Sequence, residues 1–355
     1  MKQLYTFFIL ISFFASAQIP SGYYNTATGS GFTLKTQLHN IIKNSHNPQE
    51  YSTHWSFFEA NDVLSNGKVW DIYANCSFNF GTPNNGGNQD VGTGGNAECQ
   101  FFNREHTFPT SWFGNIEPAR SDIMQVLPAD KKVNNERGNL PYGLVSSANY
   151  TSTNGTKRGS SSITAVSGQV FEVIDEFKGD IARIFFYMAT RYEDLITNWE
   201  NLNADGDKML DGSSNKVFEQ WALDMLYQWH IQDPVSQKEI DRNNAAYNYQ
   251  SNRNPYVDQP QWVTSVWGNS LSTNQTDLYS HYLQLYPNPS NQNTVSISSN
   301  IDITEIIIYN SQGQKVFETN NIQNKTYQLT TTFLKQGIYF VKTNISNQTQ
   351  KLIIN

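Results

Sequence analysis

Long hydrophobic segments are missing from this sequence. The longest mostly apolar run, residues 4–14, is too short to span a bilayer, because a transmembrane helix needs roughly 20 apolar residues. Lys2 precedes this run and small residues at 15–17 follow it, which is the pattern of a secretory signal peptide cleaved before Gln18. We therefore predict that residues 1–17 are a signal peptide and that the protein is exported without a transmembrane segment.

Cysteine is scarce, since Cys76 and Cys99 are the only two in the chain. Two thiols alone make a poor zinc site, and an exported protein folds in an oxidising compartment where thiols pair. We predict a disulfide between them that anchors the Gly- and Asn-rich loop at residues 81–96. Cys99 lies six residues before Glu105, so the bridge would also hold the segment that leads to the central motif.

Net positive charge is lacking as well. The formal charge is −7, and the tail from Gln284 onward is itself slightly basic, so the remainder of the chain is more acidic than the whole. This balance excludes a general polyanion binder that relies on the field of the entire molecule. A nucleic-acid partner would have to be bound through a local basic groove or a metal ion.

Two common kinds of site have no counterpart in the sequence. The Gly-rich loop at residues 81–95 lacks a following Lys-Ser or Lys-Thr step, so a phosphate-binding loop of that kind is not expected. Histidines outside the central motif are scattered without metal-ligand spacing, which favours core or surface roles. They are His39, His46, His54, His230 and His281.

The sequence up to about residue 265 combines helical periodicity with polar loops. Ser236 and Glu239 stand in the capping-box arrangement at the start of one helix. Strands are predicted for CQFFNR at 99–104 and IMQVLP at 123–128. We therefore predict a mainly helical α+β domain over residues 18–268. Apolar residues recur at helical spacing in three stretches, 34–42, 181–188 and 217–229.

The character of the sequence changes near residue 284. Before this point, residues 269–283 are polar and suit a linker. After it, short β-branched runs alternate with polar turns such as the one at residues 311–313. We predict a small all-β sandwich of the immunoglobulin-like kind for residues 284–355, where no cluster of acidic, His or Cys residues indicates chemistry.

The residues that can carry chemistry lie in NREHTFP, residues 103–109, where Glu105 stands next to His106. About thirty residues later, a strand candidate runs into a short helix that contains Asn134. Carboxylate and amide oxygens are hard ligands that suit Mg²⁺, and an unligated imidazole can take a proton from an attacking water. The Glu-His pair alone would be interpreted more simply as a surface or hydrogen-bonding pair.

Four segments resemble, in order and spacing, the bacterial endonuclease I family, which are secreted or periplasmic nonspecific nucleases with a ββα-metal core. The resemblance covers most of residues 18–265. The segments are NREHTFPTSWFG at 103–114, SDIMQVLPADKKVNNERGN at 121–139, FKGDIARIFFYMATRY at 177–192 and LYQWHIQDPVSQKEIDRNNAAYNYQSNRNPYVD at 226–258.

This resemblance implies that Glu105 and Asn134 are metal ligands and that His106 is the general base. It implies one Mg²⁺ per site, with Mn²⁺ or Ca²⁺ as substitutes, and products that end in 5′-phosphate and 3′-hydroxyl. Consecutive residues of a strand point to opposite faces. We therefore expect an irregularity at the strand end that lets Glu105 reach the ion while His106 addresses the water.

The sequence departs from the family at several positions. Met124 and Gln125 stand where many relatives have His or Asn, which puts contacts around the ligands in doubt. The transition-state arginine of the family cannot be aligned, so Arg120 and Arg137 are candidates for phosphate contact, with ordinary ion pairs as the alternative. Arg253 is a further candidate, and hydrogen bonds that fix its loop are the alternative there.

The tail resembles the C-terminal sorting domain that the type IX secretion system of Bacteroidetes reads, with an ordinary β-sandwich binding module as the alternative. The resemblance implies the secretion machinery as a partner and delivery to the medium or the cell surface. It rests on LQLYPNPSNQ at 283–292, ITEIIIYNSQGQKVFE at 303–318, LKQGIYFVKTN at 334–344 and QKLIIN at 350–355.

Taken together, these patterns predict an exported, metal-dependent, nonspecific endonuclease that hydrolyses phosphodiester bonds in DNA, with RNA left open as a second substrate. An extracellular ribonuclease on the same scaffold is one alternative. The alternative from another class is a glycan-binding or adhesive module, which the 14% aromatic content, the acidic charge and the β-rich tail would suit.

Overall fold

The computed structural model describes residues 19–271, 283–290, 293–344 and 346–354, and the chain divides into two compact units near residue 270. The predicted signal peptide and most of the predicted linker lie outside the described residues. Within the described ranges, no helix is long and apolar enough to cross a membrane.

The region from residue 19 to residue 271 is mixed α and β, as predicted. Its α-helices are α1 (Gly31–Ser45), α2 (His54–Asn61), α3 (Lys131–Arg137), α4 (Lys178–Arg191), α5 (Gln220–Gln232), α6 (Gln237–Gln250), α7 (Pro255–Asp258) and α8 (Gln261–Trp267). Its strands are β1 (Phe102–His106), β2 (Val126–Asp130), β3 (Val145–Thr151), β4 (Lys157–Ser161) and β5 (Gln169–Glu172).

The helices form where the apolar spacing predicts them, with small shifts at their ends. All residues of α4 are buried, and α1 buries the stripe that includes Leu34 and Leu38. In the stretch at 217–229, helix α5 begins at Gln220, later than predicted. Val217 lies outside the helix, because its φ of 71° is not helical. Ser236 and Glu239 form the predicted capping box of α6.

The two central strands are also displaced from their predicted positions. β1 begins at Phe102 because Cys99, with a φ of 63°, interrupts the extended backbone.

A second sheet, in the order β3-β4-β5, was not predicted. Its strand β3, with the sequence VSSANYT, is largely exposed and has no apolar alternation, so the sequence carries little strand signal there.

The tail is all-β, which confirms its predicted class. Its strands are β6 (Leu283–Tyr286), β7 (Thr294–Asn310), β8 (Lys315–Thr330), β9 (Gly337–Thr343) and β10 (Ser346–Ile354). They form an antiparallel sheet in the order β10-β9-β7-β6, with β8 also paired to β7. The first half of β7 pairs with β6 and its second half with β9, and its pairing with β8 shifts in register, so β7 is one long, irregular strand. Side chains such as Val295, Ile306 and Val341 fill one apolar core.

The predicted disulfide is present and is tied to the central motif. Cys76 and Cys99 are bonded, with their Cα atoms 5.1 Å apart. The backbone N–H of Cys99 donates to Asp130 Oδ2 at 2.7 Å, while Asp130 Oδ1 accepts from the backbone N–H of Val133 at 3.0 Å and caps α3. Asp130 therefore connects the disulfide to the first turn of α3.

The two sulfurs and Asp130 also form the one group of His, Cys, Asp or Glu side chains in the described part of the chain whose potential ligand atoms all lie within 4.8 Å of one another. A metal would need thiolates. Because the sulfurs are bonded to each other, this group is a structural link and not a metal site.

Replacing both cysteines in Cys76→Ala/Cys99→Ala should lower the free energy of unfolding by about 3 kcal/mol, because the bridge restricts a loop closed across 23 positions of sequence in the unfolded chain. Urea unfolding of the variant and of the wild type would measure the difference. The wild type in excess reductant should lose the same amount. Equal stability of all three samples would contradict the structural role, as would free thiols in the native secreted protein by mass spectrometry.

Candidate active site

The central motif is a β-hairpin followed directly by a helix. β1 and β2 pair antiparallel, with Phe102 opposite Asp130 and His106 opposite Val126. All five residues of β2 are buried, and Asp130 at its end caps α3. The chain therefore passes from β2 into α3 without a loop, and this β1-β2-α3 unit is the ββα arrangement that the family resemblance implies.

Two side-chain bridges join β1 to α3. Asn134 donates from Nδ2 to Asn103 Oδ1 at 2.8 Å, and Arg137 donates from Nη1 to Glu105 Oε1. Asn103 and Glu105 are two residues apart on a strand, so they share a face, and Asn134 and Arg137 are one turn apart on α3. The structure thus brings Glu105 and Asn134 to the same space between the strand and the helix.

Glu105 is buried, with 2% of its surface exposed. The hydroxyl of Tyr73 donates to its Oε1 at 2.7 Å, and Tyr73 is bonded in turn to the hydroxyl of Tyr142 at 2.5 Å. Burial raises the pKa of Glu105, and the interactions with Arg137 and Tyr73 offset part of that rise. The hydrogen bonds from Tyr73 and Arg137 both go to Oε1 of Glu105. Its other oxygen, Oε2, has no hydrogen bond to any described residue.

Two side-chain oxygens near these bridges, Glu105 Oε2 and Asn134 Oδ1, are of the type that binds a hard divalent cation. The side chain of Asn134 uses its amide nitrogen Nδ2 to bind Asn103. Its side-chain oxygen Oδ1 has no hydrogen bond to the described residues. Glu105 Oε2 and Asn134 Oδ1 are thus two side-chain oxygens, on elements joined by these bridges, that have no hydrogen bond to a described residue. Mg²⁺ commonly binds proteins through few such ligands and retains several of its waters.

Arg137 holds Glu105 in place and does not face solvent. Its side chain is fully buried, and besides Glu105 it donates to the carbonyl oxygens of His106 at 2.8 Å and Thr107 at 2.6 Å. The guanidinium also lies over the Tyr142 ring, 4.2 Å from the centroid. Only Nε of Arg137 lacks a hydrogen bond to a described residue, and this atom is buried, so the position of Arg137 does not support the predicted phosphate contact.

His106 lies at the end of β1, stacked on Tyr51 with ring centroids 5.4 Å apart and planes at 22°. Its Nε2 is 2.9 Å from the carbonyl oxygen of Arg120. Because a carbonyl only accepts, Nε2 carries the hydrogen and Nδ1 carries the lone pair in the neutral ring. Burial lowers the pKa of His106 to about 4, and the cations of Arg120 and Arg104 add to this effect. The imidazole is therefore neutral at pH 7 and can accept a proton at Nδ1.

The expected irregularity at the strand end is not observed. The pairing of β1 with β2 is continuous from Phe102 to His106, so Glu105 and His106 point to opposite faces of a regular strand. Glu105 faces α3, whereas His106 faces Tyr51 and the loop that contains Arg120. No described contact joins the His106 ring to Glu105 or Asn134.

The other candidate arginines differ in exposure. Arg120 has 34% of its side chain exposed and forms a 3.2 Å ion pair with Glu117, which is itself 53% exposed. Arg253 is buried and donates from Nε and Nη2 to the carboxylate of Asp258, each at 2.7 Å, and to Asn244 at 2.7 Å. The structure therefore supports the loop-fixing alternative for Arg253 and leaves Arg120 available to a ligand.

Sequence reasoning missed three residues that shape the site. Asn103 could have been found, because it lies two positions before Glu105 on the same face of a predicted strand. Tyr73 and Tyr142 come from irregular segments on either side of the motif and carry no local signal. Gln125, noted as a departure from the family, is buried and donates to the carbonyl oxygen of Ala119 at 2.7 Å, so it holds the intervening loop.

Two family models match this chain, and two curated proteins are similar to it. The family model described as Endonuclease I matches residues 30–261, and the model of the secretion system C-terminal sorting domain matches residues 284–355. An extracellular ribonuclease of Bacillus amyloliquefaciens is 34% identical over 257 residues, and one of Bacillus subtilis (strain 168) is 34% identical over 251 residues. Each alignment covers 69% of this chain and 78% of the relative.

Arg137→Met should lower the free energy of unfolding by about 3–5 kcal/mol, because it leaves Glu105 buried without its cation. Arg137→Met/Glu105→Gln should lose less than the single variant, since the unpaired charge is gone. Urea unfolding followed by circular dichroism would measure both.

The matched control is Arg158→Met, which removes an ion pair to Glu136 from a partly exposed side chain and should cost about 1 kcal/mol or less. If Arg137→Met were no more destabilising than Arg158→Met, the Glu105–Arg137 pair would not be the structural link described above.

Proposed function

The chain belongs to the endonuclease I family, and from this premise we propose that Glu105, Asn134 and His106 form the active centre of a metal-dependent endonuclease that hydrolyses phosphodiester bonds. Family membership makes the protein a nuclease, so the glycan-binding alternative is not supported. One observation carries the proposed centre. Glu105 and Asn134 belong to the two neighbouring bridges that join β1 to α3, and no described protein group is hydrogen-bonded to Glu105 Oε2 or Asn134 Oδ1.

Glu105 and Asn134 would hold one divalent cation, with Mg²⁺ as the proposed ion and Mn²⁺ or Ca²⁺ as substitutes. When bound, the ion supplies positive charge that stabilises the negative charge developing on the phosphodiester. Arg137 and Tyr73 both bind Glu105 Oε1, which fixes the carboxylate with Oε2 directed away from them. Asn103 fixes the amide of Asn134 in the same way.

His106 would act as the general base that removes a proton from the attacking water. The bond from Nε2 to the Arg120 carbonyl keeps Nδ1 unprotonated and holds the ring in one orientation. Burial lowers the pKa of His106 to about 4 in the free protein, and the negative charge of a bound phosphodiester raises the pKa of a neighbouring imidazole. Substrate binding would therefore strengthen this base when it is needed.

DNA and RNA are both proposed as substrates. The catalytic groups act on the phosphodiester and a water molecule, so the mechanism does not use the 2′-hydroxyl of RNA. The relatives described as extracellular ribonucleases support RNA as a substrate. If water displaces the 3′ oxygen from phosphorus, as the family resemblance implies, the products end in 5′-phosphate and 3′-hydroxyl.

The C-terminal sorting domain indicates export to the medium or the cell surface. We propose that residues 1–17 first direct the chain to the periplasm as a signal peptide. Residues 18–268 would then be the catalytic domain, residues 269–283 a linker, and residues 284–355 the part read by the type IX secretion machinery.

Cleavage of supercoiled plasmid and of a matched RNA transcript, with Mg²⁺ and with chelator, would test the proposed function. The wild type should cleave both with Mg²⁺ and neither with chelator. His106→Ala should cleave about 10²- to 10⁴-fold more slowly, because it lacks the general base. Activity that persists in chelator would contradict a metal-dependent mechanism.

Calorimetric titration with Mg²⁺ separates the roles of the three residues. Asn134→Ala should bind Mg²⁺ more weakly and regain part of its activity at higher Mg²⁺, whereas His106→Ala should bind Mg²⁺ as the wild type does and regain none. Glu105→Ala should resemble Asn134→Ala but requires a stability check, because it leaves Arg137 buried without its carboxylate. Weakened Mg²⁺ binding by His106→Ala would identify His106 as a ligand and overturn its assignment as the base.

A further inference from the structure

A cluster of aromatic and basic side chains lies on the face of β1 that carries His106. The guanidinium carbon of Arg104 is 3.7 Å from the Tyr51 ring centroid and 4.6 Å from that of Trp55. The guanidinium carbon of Arg120 is 4.1 Å from the same Tyr51 centroid. Tyr51 therefore contacts two guanidinium groups and the imidazole of His106.

The positive charge of this cluster has little compensation. Arg104 forms no ion pair among the described residues, and its one polar side-chain bond is from Nη1 to the Tyr51 carbonyl oxygen at 2.8 Å. The carboxylate that acts on it electrostatically is Asp90, which is already paired with Lys131 at 2.8 Å. Among the described residues, the half-exposed Glu117 is the only carboxylate that forms an ion pair with Arg120.

The two guanidinium groups repel each other. Because both lie close to one centroid, their carbons are separated by at most about 8 Å, which is within the screening length at physiological salt. A cation–π contact of about 0.5–2 kcal/mol explains why one guanidinium would rest on Tyr51. It does not explain why a chain with a net charge of −7 places two there. An anion bound beside them would remove the repulsion.

We propose that Arg104, stacked on Tyr51 and Trp55, binds the backbone phosphate adjacent to the scissile one. This inference rests on the proposed function. Arg104 and His106 are two residues apart on one face of β1, so their side chains leave the strand about 6.6 Å apart. Neighbouring phosphates of one nucleic-acid strand are spaced on the same scale. A planar guanidinium with free donors also matches a phosphate in bidentate fashion.

Tyr51 and Trp55 would act as positioning residues in this subsite. Tyr51 lies in the turn just before α2 and Trp55 lies on α2, so both are held by ordered backbone. Their rings fix the Arg104 guanidinium before substrate arrives, which reduces the side-chain entropy lost on binding. The subsite is also the local basic region that a nucleic-acid partner of an acidic protein requires.

Binding of a fluorescein-labelled single-stranded oligodeoxynucleotide in chelator, over a series of salt concentrations, tests the subsite without cleavage. Arg104→Gln should weaken binding about 5- to 30-fold at low salt. It should also reduce the slope of log affinity against log salt by about 0.7, the value for one phosphate contact on a single strand. Arg104→Lys keeps the charge but not the planar stack, so it should retain the slope and lose less affinity. Tyr51→Phe should bind like the wild type and Tyr51→Leu more weakly.

Lys43→Met is the matched control, because Lys43 is exposed and paired with Asp194, away from the motif. It should leave both affinity and salt slope unchanged, and circular dichroism should show every variant folded. If Arg104→Gln proved unfolded, the comparison of Arg104→Lys with the wild type would decide.

Wild-type affinity and slope in Arg104→Gln would overturn the subsite, as would a wild type without salt-dependent binding. Failure of the proposed function would look different. Suppose that the wild type did not cleave with Mg²⁺, while Arg104→Gln still reduced the slope of log affinity against log salt by about 0.7. The phosphate subsite would then be supported and the proposed active centre would be wrong.

Discussion

The structure of the site depends on one buried ion pair, Glu105 with Arg137. It joins the two elements that carry the proposed metal ligands, β1 and α3, at a place where Arg137 is fully buried and the Glu105 side chain is 3% exposed. A buried pair of this kind stabilises only when its remaining hydrogen-bonding groups are also satisfied. Tyr73 and the carbonyl oxygens of His106 and Thr107 satisfy most of these groups, and only Nε of Arg137 is buried without a partner among the described residues. The pair therefore fixes the strand, the helix and the turn after β1 together.

The regular alternation of β1 then separates two tasks. On one face, Asn103 and Glu105 meet α3, where the proposed metal ligands lie. On the other face, Arg104 and His106 meet Tyr51, where the proposed base and phosphate contact lie. A substrate phosphate at the edge of the strand could be reached from both faces, with water completing the contact to His106. This arrangement places the proposed catalytic groups on a regular strand, without the backbone irregularity that we expected from the sequence.

Local features were predicted well from the sequence. The apolar stripe of α1, the capping box of α6 and the disulfide each depend on spacing within a short segment or on the count of one residue type. The roles proposed for Glu105, His106 and Asn134 rest on resemblance to a family and not on a physical pattern in the sequence. Strand β3 escaped detection because an exposed polar strand has no apolar period.

The remaining features of the site depend on contacts between distant parts of the chain. Tyr73 and Tyr142 meet at Glu105 from segments 69 residues apart. Tyr51 reaches His106 from a turn more than fifty residues earlier. Nothing in the local sequence of these tyrosines distinguishes them from the others among the 19 in the chain. Their roles follow only once the fold brings them together.

The central claim is that Glu105 and Asn134 hold a single ion while His106 remains free of it. A crystal structure with Mn²⁺, with the ion located by its anomalous scattering, tests this most directly. We predict one ion bonded to Glu105 Oε2 and Asn134 Oδ1 at about 2.0–2.2 Å, the distance typical of small hard cations with oxygen ligands. Arg137 should remain bonded to Glu105 Oε1, and His106 Nδ1 should contact only water. An ion bonded to His106, or one bound elsewhere in the domain with Glu105 and Asn134 unligated, would contradict it.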